Sequence, residues 1–229
     1  MPFLPYISDE NLLKHTGTLV NSVSKAQKRI DKNIYGSVID PFSSMIDAST
    51  QDIEFAKWLE QEKARKAQKA LQNALGDFHQ NILGSVTGWV NAGQGGSYDV
   101  KNSEVKIIAE IKNKYNTLNS EGLLSVYDKL SSHLDYGDSG FTAYYVAVLP
   151  KNSTPYNEPF TPVKKKVARP SRDDLRKVDG RTFYGIATGH ENALDQLYDV
   201  LPVLLDQLEF PVKKSNLEHF KDLFDRAYK

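Results

Sequence analysis

The sequence predicts an α/β fold in which a mixed β-sheet is flanked by helices and preceded by a mainly helical N-terminal region. Three observations support this fold class. Apolar residues recur every three or four positions through much of residues 1–83, which is typical of amphipathic helices. After the glycine-rich stretch Gly93-Gln94-Gly95-Gly96 the pattern becomes extended. Between Val105 and Leu149 an extended run, a helical run and a second extended run follow one another, and this order predicts two parallel strands joined by a helix.

The chain is long enough and apolar enough to form one domain with a full core. It has 229 residues, of which 40% are hydrophobic. We expect a single domain over 1–229, with a mainly helical part (1–83), an α/β core (84–190) and C-terminal helices (191–229).

Cysteine usage and hydropathy indicate where the protein works. The sequence has no cysteine, which excludes disulfide bonds, thiolate zinc sites and thiol nucleophiles and fits a reducing compartment. Its first residues lack a basic segment followed by a long apolar run, and no stretch approaches the roughly 18 apolar residues of a membrane span. We therefore expect a cytoplasmic protein that does not bind membranes.

The first elements are predicted to be helices. Ser8 is a candidate N-cap for a helix that begins at Asp9. A turn is expected near Tyr35-Gly36 and Asp40-Pro41. From Thr50 to Leu83 the spacing of apolar residues predicts one long helix.

The extended segments of the core come next. One strand is expected to end around Val100 and a second to span Val105 to Lys112, so that the two form a hairpin across Asn102-Ser103. Ser120-Glu121 begins a helix. Phe141 to Leu149 is apolar almost throughout, which predicts a strand in the centre of the sheet.

The last third of the chain is predicted to begin with a loop. Residues 150–182 contain five prolines and read as a long surface loop with at most short helices. Phe183 to Thr188 is expected to return as a strand. Two closing helices are expected, at His190 to Leu208 and at Asn216 to Tyr228.

Asp99 and the tripeptide Glu110-Ile111-Lys112 are the candidate catalytic residues. The tripeptide ends the apolar run of the second strand, where residues 110 and 112 share one face about 7 Å apart. The hairpin brings Asp99 beside them. Two carboxylates and an ammonium group at one point suit a hard divalent cation, a water molecule and a phosphate. Asp99, Glu110 and the carbonyl oxygen of Ile111 are therefore candidate metal ligands, and Lys112 is a candidate to orient or deprotonate the attacking water. The alternative is a solvated strand end.

This arrangement, Tyr98-Asp99 followed by Glu110-Ile111-Lys112, resembles the PD-(D/E)xK nuclease superfamily, with Tyr98 in place of the proline of the motif. The order helix, strands, helix, strand over residues 51–188 is similar to the core of that superfamily. The stretch from Ala109 to Thr117, and Phe78-His79-Gln80 before it, resemble the type II restriction endonucleases that cut GGNCC or GGWCC sites. The resemblance implies a restriction-endonuclease-like core, Mg²⁺ as cofactor, in-line attack of water on the phosphate, and ends with 5′-phosphates and 3′-hydroxyls.

Members of this superfamily often have a further acid on a helix before the sheet. The candidates here are Glu54, Glu60, Glu62 and Asp77. Spacing does not choose among them, and the alternative is a solvated helix face. His79 and Gln80, near the end of the same helix, are candidates to point towards the site, and the alternative is that they pack against neighbouring backbone.

Candidate DNA contacts lie on both sides of the hairpin. The polar residues that follow the catalytic strand are Asn113, Lys114, Asn116, Thr117 and Asn119. They suit hydrogen bonds to phosphates or base edges, although asparagine before a helix is also an ordinary cap. Gln94 could approach a DNA groove because its glycine neighbours allow close backbone approach, and the alternative is a plain hairpin connection.

A basic segment is a second candidate DNA surface. The chain has 29 basic and 29 acidic residues, but the segment from Lys164 to Arg181 has eight basic residues against three acidic ones. The candidates are Lys164, Lys165, Arg169, Arg172, Arg176 and Arg181. Arginine can donate two hydrogen bonds to guanine, and lysine supplies salt-dependent binding to phosphates. A solvated surface is the alternative.

The sequence therefore predicts a sequence-specific deoxyribonuclease that cuts both strands of double-stranded DNA. A homodimer is expected because a palindromic site has a two-fold axis. Two alternatives stay open: a structure-specific repair or junction-resolving nuclease with the same core, and a binding protein without catalytic activity. No Gly-x-x-x-x-Gly-Lys-Ser motif is present, so no nucleotide cofactor is expected.

Overall fold

A computed structural model describes residues 2–93, 96 and 98–228. The helices in these residues are α1 (Asp9–Lys32), α2 (Pro41–Thr50), α3 (Phe55–Leu83), α4 (Ser120–Ser132), α5 (Gly180–Thr188), α6 (Ala193–Gln207) and α7 (Lys214–Ala227). The strands are β1 (Trp89–Asn91), β2 (Val100–Asn102), β3 (Ile107–Lys114), β4 (Thr142–Leu149), β5 (Asn157–Pro159), β6 (Val163–Lys164), β7 (Val167–Ala168) and β8 (Leu175–Asp179). The expected fold class, a mixed sheet with flanking helices and a helical N-terminal region, is confirmed.

The N-terminal region consists of α1 packed along α3, with the short α2 between them in sequence. Ser8 caps α1 as predicted, because its hydroxyl accepts a hydrogen bond from the amide of Asn11. The single long helix expected from Thr50 to Leu83 is confirmed as α3, but it begins at Phe55 and Thr50 is the last residue of α2. Asp40 caps a separate helix, α2, and the chain then turns through Asp52, whose φ of 51° is left-handed, before α3 begins.

The main sheet has the strand order β1-β2-β3-β4-β8-β5. β1, β2 and β3 are antiparallel neighbours, whereas β3, β4 and β8 run parallel. The helix α4 connects β3 to β4, so the expected crossover is confirmed. The interior position expected for Phe141 to Leu149 is also confirmed, because β4 has a parallel neighbour on each side and residues 143–148 are buried.

Two predictions for residues 150–188 are wrong. The expected loop contains β5 to β8, and β8 joins the main sheet beside β4. Phe183 to Thr188 lies in helix α5 rather than in a strand. The carboxylate of Asp179 ends β8 and caps α5, since it accepts hydrogen bonds from the amide and hydroxyl of Thr182 at 3.0 and 2.6 Å. Gly180 follows because a Cβ there would lie 2.4 Å from the carbonyl oxygen of Val148.

The two faces of the sheet are covered by different helices. Ala109, Ile111 and Val146 pack in the core with residues of α3, α5 and α6, whereas Ile108 and Tyr145 pack with residues of α4. Because side chains alternate along a strand, residues 110 and 112 of β3 lie on the α4 face. In the part of the chain that the structure describes, none of the helices is both long and apolar enough to span a bilayer.

Candidate active site

The β2–β3 hairpin brings Asp99 to Glu110 and Lys112. Asp99 stands directly before β2, and its amide donates a hydrogen bond to the carbonyl of Ala109 at 2.9 Å. Its carboxylate Oδ2 accepts a hydrogen bond from the amide of Ile111 at 2.6 Å. In the hydrogen bonding between β2 and β3, the carboxylate of Asp99 thus accepts from an amide that would otherwise bond to a backbone carbonyl. This hydrogen bond fixes the orientation of the carboxylate.

Lys112 joins the two acids. Its Nζ lies 2.6 Å from Oε1 of Glu110 and 3.9 Å from Oδ2 of Asp99. The three side chains are only 17–20% exposed. The sequence-predicted set Asp99, Glu110 and Lys112 therefore meets at one point, and a cation already stands between the two carboxylates.

The electrostatics of the site favour a further positive charge. Burial raises the pKa of Asp99 to about 6, and the charge of Glu110 acts in the same direction. The hydrogen bond from the amide of Ile111 and the charge of Lys112 oppose this rise without cancelling it. An ionised carboxylate in this position is destabilised, so a bound divalent cation would lower its free energy.

The donor set fits Mg²⁺. In residues 2–93, 96 and 98–228, no three His, Asp or Glu side chains gather as a metal cluster. The acidic groups that meet at Lys112 are the carboxylates of Asp99 and Glu110. The N–H and C=O of one strand residue point to the same side of the strand, and the amide of Ile111 points to Asp99. Its carbonyl oxygen is therefore directed to that side too. Mg²⁺ is commonly held by one or two carboxylates together with water and substrate phosphates.

Asp77 is exposed on α3, and its negative charge makes a small contribution to the raised pKa of Asp99. The other acids predicted from the sequence are Glu54, directly before α3, and Glu60 and Glu62 within it. Glu60 lies 17 positions before Asp77 on α3, about 25 Å along the helix axis, and forms a salt bridge with Lys63 at 2.6 Å. Glu54 flanks the first turn of the same helix. The structure thus places Glu54 and Glu60 away from the carboxylate pair.

His79 is half-buried against α5. Its Nδ1 lies 2.8 Å from the hydroxyl of Tyr184 on α5, and the two rings meet edge to face. Burial lowers the pKa of His79 to about 4, so the ring is neutral. Gln80, the next residue of α3, is half-buried, and its carbonyl accepts a hydrogen bond from Gly84. The helix therefore directs His79 towards α5 and the core rather than towards Glu110.

The polar residues after β3 have structural partners. Asn113 lies on the opposite face of β3 from Lys112 and donates a hydrogen bond to Gln72 of α3 at 2.9 Å. Thr117 closes a turn, since its hydroxyl accepts from the amide of Lys114 and donates to its carbonyl. Asn119 caps α4 by accepting from the amide of Gly122 at 2.9 Å, which was the alternative given by the sequence.

Asn116 is exposed in the same turn, between the end of β3 and the start of α4. Lys114 is the last residue of β3 and is half-buried. Gln94 lies outside the described residues.

Most of the basic segment is paired. The contacts are Lys164 with Glu121 at 2.6 Å, Arg169 with Asp128 at 2.6 Å, Arg172 with Asp135 at 2.8 Å and with Asp174 at 2.9 Å, Arg176 with Asn157 at 2.6 Å, and Arg181 with Asp195 at 2.7 Å. Arg176 pairs in register with Tyr144, on the face of the sheet opposite Tyr145 and Glu110. Arg181 also donates to the carbonyl of Tyr228 and so ties α5 to the C-terminal end of the chain.

Lys165 has a different position. Together with Lys166 it forms the exposed turn between β6 and β7, and both residues have left-handed φ values, 48° and 66°. Residues with side chains adopt this conformation at an energetic cost. The turn holds two ammonium groups out into solvent.

The sequence did not reveal a row of polar groups across the α4 face. Glu110, Tyr145, Lys177 and Glu158 are successive neighbours in the register of β3, β4, β8 and β5. Tyr145 is buried, and within the described residues its hydroxyl has no hydrogen-bond partner. A cleft of about 780 Å³ lies along this row, between the start of α4 and residues 151–162. The sequence gives no sign of this row because Tyr145 belongs to an almost wholly apolar strand and Lys177 to a segment predicted to be a loop.

Comparison with known proteins decides the family. Residues 4–209, from before α1 to just past the end of α6, match the family described as Eco47II restriction endonuclease. The chain belongs to the Eco47II restriction endonuclease family. The predicted resemblance to type II restriction endonucleases is confirmed, and the match spans Asp99, Glu110 and Lys112.

Two relatives are similar to this chain over most of their length. The type II restriction enzyme Eco47II of Escherichia coli is 38% identical over 213 residues, which cover 91% of this chain and 89% of the relative. The type II restriction enzyme Sau96I of Staphylococcus aureus is 30% identical over 235 residues, which cover 98% of this chain and 89% of that protein. Membership of the Eco47II restriction endonuclease family identifies the protein as an enzyme of the site-specific deoxyribonuclease class.

Proposed function

We propose that this protein hydrolyses both strands of double-stranded DNA at a specific sequence, with Mg²⁺ held by Asp99, Glu110 and the carbonyl oxygen of Ile111. The supporting observation is the convergence of two poorly solvated carboxylates and Lys112, with Nζ within 4 Å of both acids. This geometry and the residue order agree with the PD-(D/E)xK superfamily, in which we place the chain.

The residues of the site have separate tasks. A bound Mg²⁺ would supply positive charge that stabilises the negative charge developing on the phosphate oxygens. Asp99 is held in its binding direction by the amide of Ile111. Lys112, whose ammonium group is held by Glu110, would orient the attacking water. Asp77 adds negative charge at the edge of the site.

The chemical step is an in-line hydrolysis. The water loses a proton to solvent as its oxygen forms a bond to phosphorus and the bond from phosphorus to O3′ breaks, and O3′ takes up a proton from a second water molecule. The products are a 5′-phosphate and a 3′-hydroxyl.

We place the DNA along the α4 face of the sheet, over the cleft that adjoins Glu110 through Tyr145. The turn at Lys165 and Lys166 contacts phosphates, because its ammonium groups are exposed and project from a hairpin that packs on α4. Arg169 and Arg172 lie on the same side of the protein, where they pair with the exposed carboxylates of Asp128 and Asp135. When DNA binds, their guanidinium groups can leave these carboxylates and donate hydrogen bonds to guanine instead. Asn116 and Lys114 lie near the strand end, where the backbone of the cut strand would pass.

The recognition sequence that the sequence resemblance supports is of the GGNCC or GGWCC type. Such sites are palindromic, so we propose that the enzyme acts as a homodimer with one active site for each strand.

A plasmid digest tests this function. Purified protein with Mg²⁺ should give discrete fragments, and sequencing of their ends should show one recurrent palindrome with 5′-phosphates. Glu110→Ala should abolish cleavage but retain DNA binding measured without a divalent cation. The matched control Glu60→Ala, near the start of α3 and away from the site, should cut normally. Cleavage of branched DNA regardless of sequence would instead indicate a structure-specific nuclease. Intact DNA with Mg²⁺, Mn²⁺ and Co²⁺ would contradict the proposal.

A further inference from the structure

An ion pair lies in the cleft beside the candidate active site and has no part in the reaction proposed above. Nζ of Lys177 on β8 is 2.9 Å from Oε1 of Glu158 on β5, and the two residues are partners in the register of these antiparallel strands. Both line the cleft of about 780 Å³ together with Tyr145. Their side chains are 38% and 56% exposed. The pair is therefore accessible to a ligand that enters the cleft.

The distance of this pair from Glu110 matches the depth of a DNA groove. Glu110, Tyr145, Lys177 and Glu158 follow one another across β3, β4, β8 and β5. Because neighbouring strands are about 4.8 Å apart, the backbone of Lys177 lies roughly 10 Å and that of Glu158 roughly 14 Å from the backbone of Glu110. The major groove is about 8.5 Å deep, so base edges lie at a comparable distance from the phosphates. A duplex whose phosphate lies at Glu110 can therefore bring its base edges to the pair.

Lys177 is held in place before any ligand binds. Its backbone is paired on both sides, with β4 and with β5. Its ammonium group lies 5.3 Å from the centre of the Tyr156 ring, a favourable position for a cation, as well as next to Glu158. Tyr156 is itself anchored, because its amide donates a hydrogen bond to the carboxylate of Asp179 at 2.8 Å. A side chain that is already held loses little conformational freedom on binding, which suits a residue used in recognition.

The charges of the pair suit a base edge better than a phosphate. The carboxylate of Glu158 repels a phosphate that approaches Lys177. A G·C pair instead presents the acceptors O6 and N7 of guanine beside the N4 amino donor of cytosine. O6 and N4 are joined by a hydrogen bond, about 2.9 Å long, and Nζ and Oε1 are 2.9 Å apart. The ammonium group can therefore donate to guanine while the carboxylate accepts from cytosine. Guanine offers two adjacent acceptors, whereas the thymine of an A·T pair offers one.

We propose that Lys177 and Glu158 select one G·C base pair of the recognition sequence, with Lys177 on guanine and Glu158 on cytosine. The inference rests on the proposed function, because it requires duplex DNA along the α4 face. Tyr145, between Glu110 and Lys177 in the register, supports a ligand in this part of the cleft. It is 2% exposed, and among the residues that the structure describes its hydroxyl has no hydrogen-bond partner. A buried hydroxyl without a partner is unfavourable, and a bound duplex can supply one.

A guanine analogue tests the contact of Lys177 at the level of one atom. In 7-deazaguanine a C–H group replaces the acceptor N7. Placed at each guanine of the cut sequence in turn, it should slow single-turnover cleavage by the wild type about 10-fold at one position. Lys177→Met should cut the natural site more slowly and lose this sensitivity, whereas Lys221→Met should keep it. Lys221 is the matched control because it pairs with Asp199 at 3.1 Å and lies 5.1 Å from the centre of the Phe224 ring. Equal sensitivity of Lys177→Met and wild type at every guanine would overturn the proposal.

Selection of bound sequences gives a second measurement that needs no cleavage. Glu110→Ala protein is mixed with random duplexes without a divalent cation, and the bound duplexes are sequenced. The preference for G·C at one position should fall about 10-fold when Glu158→Ala is added, and should persist with the matched control Asp199→Ala. An undiminished preference with Glu158→Ala at every position would overturn the proposal. If the wild type cuts no DNA but this selection gives the expected result, the proposed function fails while the base contact stands.

Discussion

Replacing Asp99 by asparagine should stabilise the metal-free protein even though it abolishes function. Asparagine has nearly the shape of aspartate and can still accept the hydrogen bond from the amide of Ile111. It removes the negative charge that burial and Glu110 disfavour. The stability of the wild type is thus limited by a carboxylate whose position serves cation binding.

The magnitude follows from the pKa of Asp99. A rise from 3.8 to about 6 corresponds to roughly 3 kcal/mol, since a tenfold change in proton affinity is worth about 1.4 kcal/mol. The side chain is 18% exposed, and the asparagine loses the attraction of Lys112. We therefore expect the free energy of unfolding at pH 8 to rise by about 1–3 kcal/mol, which for a domain of this size is about 3–10 °C in Tm.

The pH dependence has a definite sign. A carboxyl whose pKa is higher in the folded than in the unfolded protein contributes stability below pH 3.8 that is lost as the pH rises through 6. The advantage of Asp99→Asn should therefore be absent near pH 4 and full above pH 7. Chemical unfolding in EDTA between pH 4 and 8 measures the difference in the free energy of unfolding between Asp99→Asn and wild type. The control is Asp206→Asn, because Asp206 is an exposed acid on α6. An Asp99→Asn protein less stable than wild type at pH 8, or a difference independent of pH, would refute the reasoning.

Three further predictions concern residues around the site. Asp77→Asn should lower the cleavage rate about 10-fold and raise the Mg²⁺ concentration needed, whereas Glu60→Gln should leave single-turnover rates unchanged. The pair Lys165→Ala and Lys166→Ala should weaken DNA binding at low salt and reduce the slope of log affinity against log salt by about 1–2, with the rate at saturation retained. Arg181→Ala should lower the free energy of unfolding by about 2–3 kcal/mol in urea titrations, because its guanidinium links Asp195 and a backbone carbonyl, and should leave the cleavage sequence unchanged.

Each of these has a contradicting outcome. Equal effects of the Asp77 and Glu60 substitutions would place the auxiliary acid elsewhere. An unchanged salt slope would remove the β6–β7 turn from the DNA interface. If Arg181→Ala changed the cleaved sequence but left the free energy of unfolding unchanged, Arg181 would have a role in base recognition rather than in stability.

The central part of the site could be predicted from the sequence because strand geometry fixes it. Alternation along β3 puts Glu110 and Lys112 on one face, and a short hairpin leaves little freedom for Asp99. The auxiliary acid could not be chosen in the same way. Helical periodicity shows which acids share a face of α3 but not which turn of the helix passes the sheet, and that depends on tertiary packing such as the contact between Gln72 and Asn113.

The basic segment shows a second limit of sequence reasoning. Its arginines looked available for DNA, but the acids that pair with Arg169 and Arg172, Asp128 and Asp135, lie on α4 or just after it, about 40 residues earlier. The helix α5 was read as a strand for a related reason. Its buried residues, Gly180, Phe183, Tyr184 and Ala187, do keep the spacing of one helical face, but the predicted strand covered only the six residues from Phe183 to Thr188, which are too few to show that period.

The measurement that tests the central claim most directly is anomalous diffraction from a crystal of the protein with Mn²⁺ and its DNA. The account predicts a peak about 2.1 Å from carboxylate oxygens of both Asp99 and Glu110 and from the carbonyl oxygen of Ile111, next to the scissile phosphate. Manganese bound elsewhere, with the Asp99 and Glu110 carboxylates sharing no ion, would contradict it.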